Sequence, residues 1–178
     1  MGLAHLLEQA KGTIVNAWLD MVIKTYAPDA SQFLKGQKDA FANPVGNTLA
    51  RGLDSLYDQL HVATDRRTLE QILDPVIRIR AVQTFSPSQA LGFIFNLKQI
   101  LRTHLTAKLA KAQIPEAMER LDFRLDEIGL IAFDIFMECR EKVYQIKANE
   151  TKNRTLRAFA RAGLVTEVPE EGPDPNVH

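Results

Sequence analysis

The sequence predicts an all-α protein, a bundle of six to seven helices, on three observations. Apolar residues recur at spacings of three and four along most of the chain, and cap-and-proline patterns stand ahead of those runs. No stretch of useful length alternates with the period of two that a half-buried strand needs.

The elements follow in order. Leu3, Leu6, Leu7, Ala10, Ile14, Ala17, Trp18 and Met21 share one face of a first helix that must end before Pro28. Residues 31–40 are expected to add a short helical turn. Asn43 and Pro44 read as an N-cap followed by proline at the first helical position, where its missing N–H costs nothing. The helix they open carries the stripe Val45, Leu49, Leu53, Leu56 and Leu60, with Gly46 and Ala50 as a small strip beside it. Thr68 and Gln71 form a capping box for the next helix, which Pro75 is expected to break or kink, with Asp74 capping a continuation to about Gln83. Ser86, Pro87 and Gln89 repeat the device and open a helix to about Leu109.

From Pro115 the positions Met118, Leu121, Leu125, Ile128, Ala132, Ile135 and Cys139 form a near-heptad seam in a long helix over 115–147, continuing through Val143 and Ile146. A second apolar set, Leu130, Phe133, Met137 and Tyr144, stands off that seam and needs its own cover. A separate basic amphipathic helix is expected over about 151–163, with Gly163 as its C-cap. The domain organisation is then one helical domain over 1–163 and a disordered tail over 164–178, rich in acid and proline with little to bury.

Composition narrows the function classes. Lys+Arg and Asp+Glu both number 22, so no global field favours nucleic acid or an anionic membrane. The lone Cys139 excludes an intramolecular disulfide and a CxxC site, which suits the cytoplasm. The first residues lack a signal-peptide pattern and Leu6 stands where a myristoylation signal needs Ser or Thr. The most apolar run, 128–137, is interrupted by Asp134 and is far shorter than the ~20 residues that span a bilayer.

No P-loop, GxGxxG, HExxH, GxSxG or EF-hand pattern occurs, and none of the four histidines follows a glutamate by three residues as a ferritin-like di-iron site requires. No enzyme activity, metal or other cofactor is therefore expected. Candidate ligand-binding residues are Arg78, Arg80 and His104. Arg78 and Arg80 lie two apart in VIRIRAVQ, a helix without a clean polar face, so at least one must turn inward and meet a carboxylate or an anionic ligand. A salt bridge to Asp74, Asp126 or Asp134 is the blander reading of the pair. His104 shares the apolar face of its helix with Phe93, Leu97, Ile100 and Leu101, where a partly buried core histidine with a backbone or carboxylate partner is the commoner outcome. Asp134 in IAFDIF reads as an ion-pair partner rather than a proton-transfer acid, and Cys139 as a packing residue.

Candidate partner-binding residues are Phe133, Met137 and Tyr144 on the second apolar set, with Arg154, Arg157 and Arg161 on the basic segment. Between 140 and 161 seven basic residues face only Glu141 and Glu150. These features favour a sensory or adaptor module that binds a protein or a small anionic or apolar ligand, with a homodimer through Phe133 and its neighbours slightly favoured. A small enzyme with an interhelical pocket is the alternative. Nucleic-acid binding through 140–161 is the third reading.

The stretches FANPVG (41–46) and RIRAVQTFSPSQALGFIFNLK (78–98) make the chain resemble the amino-terminal domain of the RsbRD-type RsbT co-antagonists over about residues 5–150. The resemblance implies bacterial stress-response signalling and a sensory helical domain, several of whose relatives are similar to globins without haem. Such domains are ordinarily fused to a phosphorylatable STAS domain. Too few residues follow Gly163 to form one, so a stand-alone version is expected here. A second setting implied by the resemblance is an accessory role beside membrane redox complexes. In a globin-like arrangement 87–109 and 115–147 would correspond to the last two helices, and 65–84 offers no histidine as a proximal haem ligand.

Overall fold

The computed structural model describes residues 2–36, 39, 41–109 and 113–164. Among them are six α-helices and no strands. They are α1 (Leu3–Ile23), α2 (Pro28–Gly36), α3 (Pro44–Asp58), α4 (Arg66–Ala81), α5 (Pro87–Leu105) and α6 (Ile114–Arg161). The fold divides into two compact units, Met1–Arg140 and Glu141–His178, and α6 contributes to both. The expected tail over 164–178 lies outside the described residues apart from Leu164.

In the first unit α1 packs against α3 and α5, while α4 packs against the same two helices. Their apolar stripes meet that of α6 in one core containing Leu7, Ile14, Trp18, Leu53, Leu73, Ile77, Leu97 and, from α6, Leu125. Polar tips inside that core are tied to backbone carbonyls of neighbouring helices, since a buried donor left unmade would cost more than the bond contributes. Trp18 Nε1 donates to Phe93 O at 2.8 Å, joining α1 to α5, and the Tyr57 hydroxyl donates to Leu7 O at 2.9 Å, joining α3 to α1.

Two close approaches need glycine. A Cβ on Gly52 of α3 would lie 2.3 Å from Val76 Cγ2 of α4, and one on Gly129 of α6 would lie 2.5 Å from the Phe95 ring of α5. Lys98 pairs with Asp126 at 2.7 Å and Arg102 pairs with Asp122. As the α5 position advances from 95 to 98 to 102, the α6 position retreats from 129 to 126 to 122, the signature of antiparallel neighbours in fixed register.

Two helix starts carry the expected caps and a third differs. The Asn43 side chain accepts from Gly46 N, and Ser86 with Gln89 closes a complete capping box ahead of Pro87. The α4 cap is Asp65 rather than Thr68, and Thr68 becomes its partner, donating through N at 3.0 Å and through Oγ1 at 2.8 Å. Pro75 neither ends α4 nor restarts it. It sits with Gln71 on the exposed side of the helix, so the Gln71 carbonyl that loses its donor to the missing N–H belongs to a residue that water can reach. Asp74 pairs with Arg78 at 2.6 Å instead of capping. α2 begins at Pro28 rather than at 31, α5 ends at Leu105 rather than near Leu109, and the two helices expected over 115–147 and 151–163 are one. The join occurs because residues 148–150 contain neither proline nor glycine to stop the helix. α6 then ends in a Schellman motif. Gly163, at φ +67°, donates to Ala160 O, and Leu164 N donates to Phe159 O.

Candidate functional site

Three places in the first unit gather groups with binding chemistry. The first is a surface groove of about 550 Å³ between α4 and α6, lined by Arg66, Glu70, Asp74, Asp134 and Glu138 among others. Its charges are largely matched, since Arg66 reaches Glu70 and Asp134 at 2.7 Å each. Asp134 is thus an exposed ion-pair partner. A second groove, of about 390 Å³, lies between α3 and α4, where Asn47, Thr48, Arg51 and Ser55 face Gln71, Ile72 and Pro75.

The third place is the interior around Arg80. Arg78 and Arg80 occupy different environments, Arg78 exposed and bound to Asp74, Arg80 completely enclosed. Arg80 Nε donates to Ala90 O at 2.7 Å, and its Nη2 donates to Gln89 O at 2.8 Å and to Thr25 Oγ1 at 3.1 Å. The guanidinium carbon lies 4.5 Å from the Phe85 ring centre, 5.4 Å from that of Tyr26 and 5.5 Å from that of Phe93. Burial pushes the Arg80 pKa down, and the Tyr26 hydroxyl beside the guanidinium acts in the opposite sense. The spacing predicts that the arginine turning inward meets a carboxylate or an anionic ligand; Arg80 is the one that turns inward and it meets neutral acceptors and aromatic faces, while the carboxylate contact, to Asp74, belongs to the exposed Arg78. Tyr26 and Phe85, which complete this cage from the α1–α2 and α4–α5 connections, were not singled out from sequence. Isolated aromatics in connecting segments carry no periodic signal.

His104 is half-buried on α5 and its Nδ1 lies 2.8 Å from Ile100 O, with no contact to either arginine. Cys139 is buried in the α6 seam and forms no disulfide.

On α6 the first unit exposes Leu130 (69 %), Phe133 (46 %) and Met137 (39 %), while Leu125, Ile128 and Ala132 on the opposite side are closed off entirely. Phe95 of α5, standing over Gly129, adjoins the exposed set. α6 also supplies two arginines to the carboxyl ends of other helices. Arg124 donates to Gln59 O and Val62 O beyond α3, and Arg140 to Ala81 O and Gln83 O at the end of α4. A cation there satisfies leftover carbonyls and complements the negative end of the helix dipole. In the second unit, described by itself, Tyr144, Arg154, Arg157 and Arg161 are exposed, and none of the three arginines pairs with a carboxylate among the described residues.

No group of three or more metal-ligating side chains occurs among the described residues, and no described helix is long and apolar enough to cross a membrane. No curated protein and no solved structure matches the chain. The family described as the RsbT co-antagonist protein rsbRD N-terminal domain does match, over residues 12–151, a span that takes in the whole Arg80 cage and the exposed set on α6. The chain therefore belongs to the RsbRD amino-terminal domain family.

Proposed function

We propose that this chain is a non-catalytic regulatory module of bacterial stress signalling that works by binding a protein partner and a small ligand. The observation that carries the partner half is the exposed set Leu130, Phe133 and Met137 on a helix whose opposite side is fully used in the core. Apolar side chains clustered on a surface are stabilised by being covered, and a contiguous patch of them marks an interaction site more often than a bare surface. The family's association with RsbT co-antagonism supports a partner of the stressosome type. A second copy of the chain is the favoured first occupant, because a two-fold axis lets one patch cover itself. Sedimentation velocity at low micromolar concentration tests this. A dimer boundary that Phe133→Asp abolishes, with helical circular dichroism retained, is expected. A single monomeric boundary for the unaltered chain would remove the self-association, and affinity capture from native extract with and without Phe133→Asp would then test the patch against other proteins.

A further inference from the structure

The groove between α3 and α4 holds one ionisable side chain, Arg51, and no carboxylate. Its other polar side chains, Asn47, Thr48, Ser55 and Gln71, are all neutral. None of the five makes a side-chain hydrogen bond or ion pair to another described residue. The groove between α4 and α6 is the opposite case, since four carboxylates line it beside Arg66 and Arg67, and Arg66 is already paired. Asn47, Arg51 and Ser55 stand at successive fourth positions, so they follow one another along one side of α3 over about 12 Å. Ile72 and Pro75 supply an apolar wall from α4. Gly52 lets Val76 of α4 approach to where a Cβ would collide, so the two walls are fixed by packing rather than left to open.

We propose that this groove binds a small organic monoanion, a carboxylate that carries hydroxyl groups on a short carbon chain. This deepens the ligand half of the function proposed above and rests on that reading only for its regulatory meaning. A guanidinium presents paired N–H groups in the geometry of a carboxylate, and no acid in the groove competes for them. One cation balances one negative charge, so a polyanion finds no second anchor here. Asn47 and Thr48 stand one turn before Arg51 and Ser55 one turn after it, and each can donate and accept, which matches hydroxyls rather than further charge. The carbon chain has Ile72 and Pro75 to lie against. At about 390 Å³ the groove falls within the roughly 300–1,000 Å³ common for small-molecule sites. A ligand seated there touches α3 and α4 together and so stabilises their packed arrangement.

The full chain is titrated with sodium gluconate, the ionic strength held constant with sodium chloride, while amide shifts are followed by nuclear magnetic resonance. Saturable shifts centred on 47–55 and 71–75 are expected, with a saturable rise in the thermal midpoint. Sorbitol keeps the hydroxyls without the charge, and acetate keeps the charge without the hydroxyls. Each should bind about tenfold more weakly than gluconate, or worse. Arg51→Gln should weaken gluconate by about tenfold or more, and Thr48→Val by about threefold. Arg51 is exposed, so its replacement should leave the helical circular dichroism unchanged. Shifts that only grow linearly with gluconate would overturn the proposal, as would saturable shifts centred on Arg154, Arg157 and Arg161. So would unaltered binding in Arg51→Gln. Inorganic phosphate bound as tightly as gluconate would mark a plain ion site and equally overturn it. Phe133→Asp should bind gluconate as the unaltered chain does, so failure here and failure of the α6 patch are distinguishable; loss of binding in that variant would place the ligand at the patch and overturn the assignment to this groove.

Discussion

Residues 114–140 and 141–161 belong to one helix but draw their helicity from different sources. In the first stretch Leu121, Leu125, Ile128, Ala132, Ile135 and Cys139 are buried, Gly129 admits the Phe95 ring, and Arg124 and Arg140 bind carbonyls beyond the ends of α3 and α4. In the second every described residue is exposed except Val143, which is half-buried. Along the sequence the spacing of three and four runs on from Cys139 through Val143 and Ile146 and then lands on Glu150, Arg154, Arg157 and Arg161. Tertiary packing therefore maintains the first stretch, while the second has its own backbone hydrogen bonds and the Schellman stop at Gly163 without a buried face. The difference shows that a periodic pattern predicts a helix wherever it runs, but predicts a core only where the periodic residues are apolar.

The sharpest way to break this contrast is a matched pair of truncations. Leu125→Ala empties a fully enclosed position and should cost about 2–5 kcal/mol in urea denaturation, whereas Leu156→Ala, at an exposed position, should change stability by no more than about 0.5 kcal/mol. Equal losses would show that the second stretch is packed as tightly as the first.

How far the sequence could be read follows the same line. The caps at Asn43 and Ser86 were legible because proline at the next position and the local side-chain bond are contained within four residues. The α4 cap was misplaced because Asp65 and Thr68 are both good caps three residues apart. Only the structure shows Thr68 donating its hydroxyl to Asp65 rather than starting a helix of its own. The continuity of α4 through Pro75 depends on which side of the helix the proline faces, and that is a tertiary fact. Of the candidate residues, the inward turn of one arginine from the pair 78 and 80 was legible from their two-residue spacing. The cage around it was not, because Tyr26, Phe85 and the first turn of α5 converge from distant parts of the chain. Phe133 and Met137 were legible as a second apolar set, but exposure could be read only once α5 was placed beside Gly129.

Alkaline titration offers a second test of the packed unit. Burial pushes the Tyr57 phenol up from its ordinary pKa of 10, so the folded state holds the proton after the unfolded state has lost it. Above that unfolded value the unfolded chain binds fewer protons, and stability must fall as pH rises. Thermal midpoints measured from pH 8 to 11 should decline beyond pH 10 in the unaltered chain. In Tyr57→Phe that part of the decline should be absent, even though the variant starts lower for want of the bond to Leu7 O.

A smaller effect separates the arginines. Arg140→Ala leaves the Ala81 and Gln83 carbonyls without their cation and should cost about 1–2 kcal/mol, read from the urea midpoint. Arg157→Ala should leave the midpoint within about 0.5 kcal/mol. If the second stretch grips a polyanion, the same Arg157→Ala should instead lower the salt concentration needed to elute the chain from immobilised DNA.

The smallest effect is the most specific to the second stretch. Asn149, Thr151, Asn153 and Thr155 are poor helix formers placed in alternate positions, and without a buried face nothing described compensates for them. Asn153→Ala should therefore stabilise helix locally by about 0.5 kcal/mol, the usual gap in propensity between the two residues. Hydrogen exchange read by mass spectrometry should show slower exchange across peptides covering 149–160. Peptides from 114–140 and the global urea midpoint should not change, because exchange in the first stretch is governed by opening of the core rather than by fraying. An Asn153→Ala variant that raised the global midpoint would mean that the second stretch unfolds together with the first, and the distinction between the two would be lost.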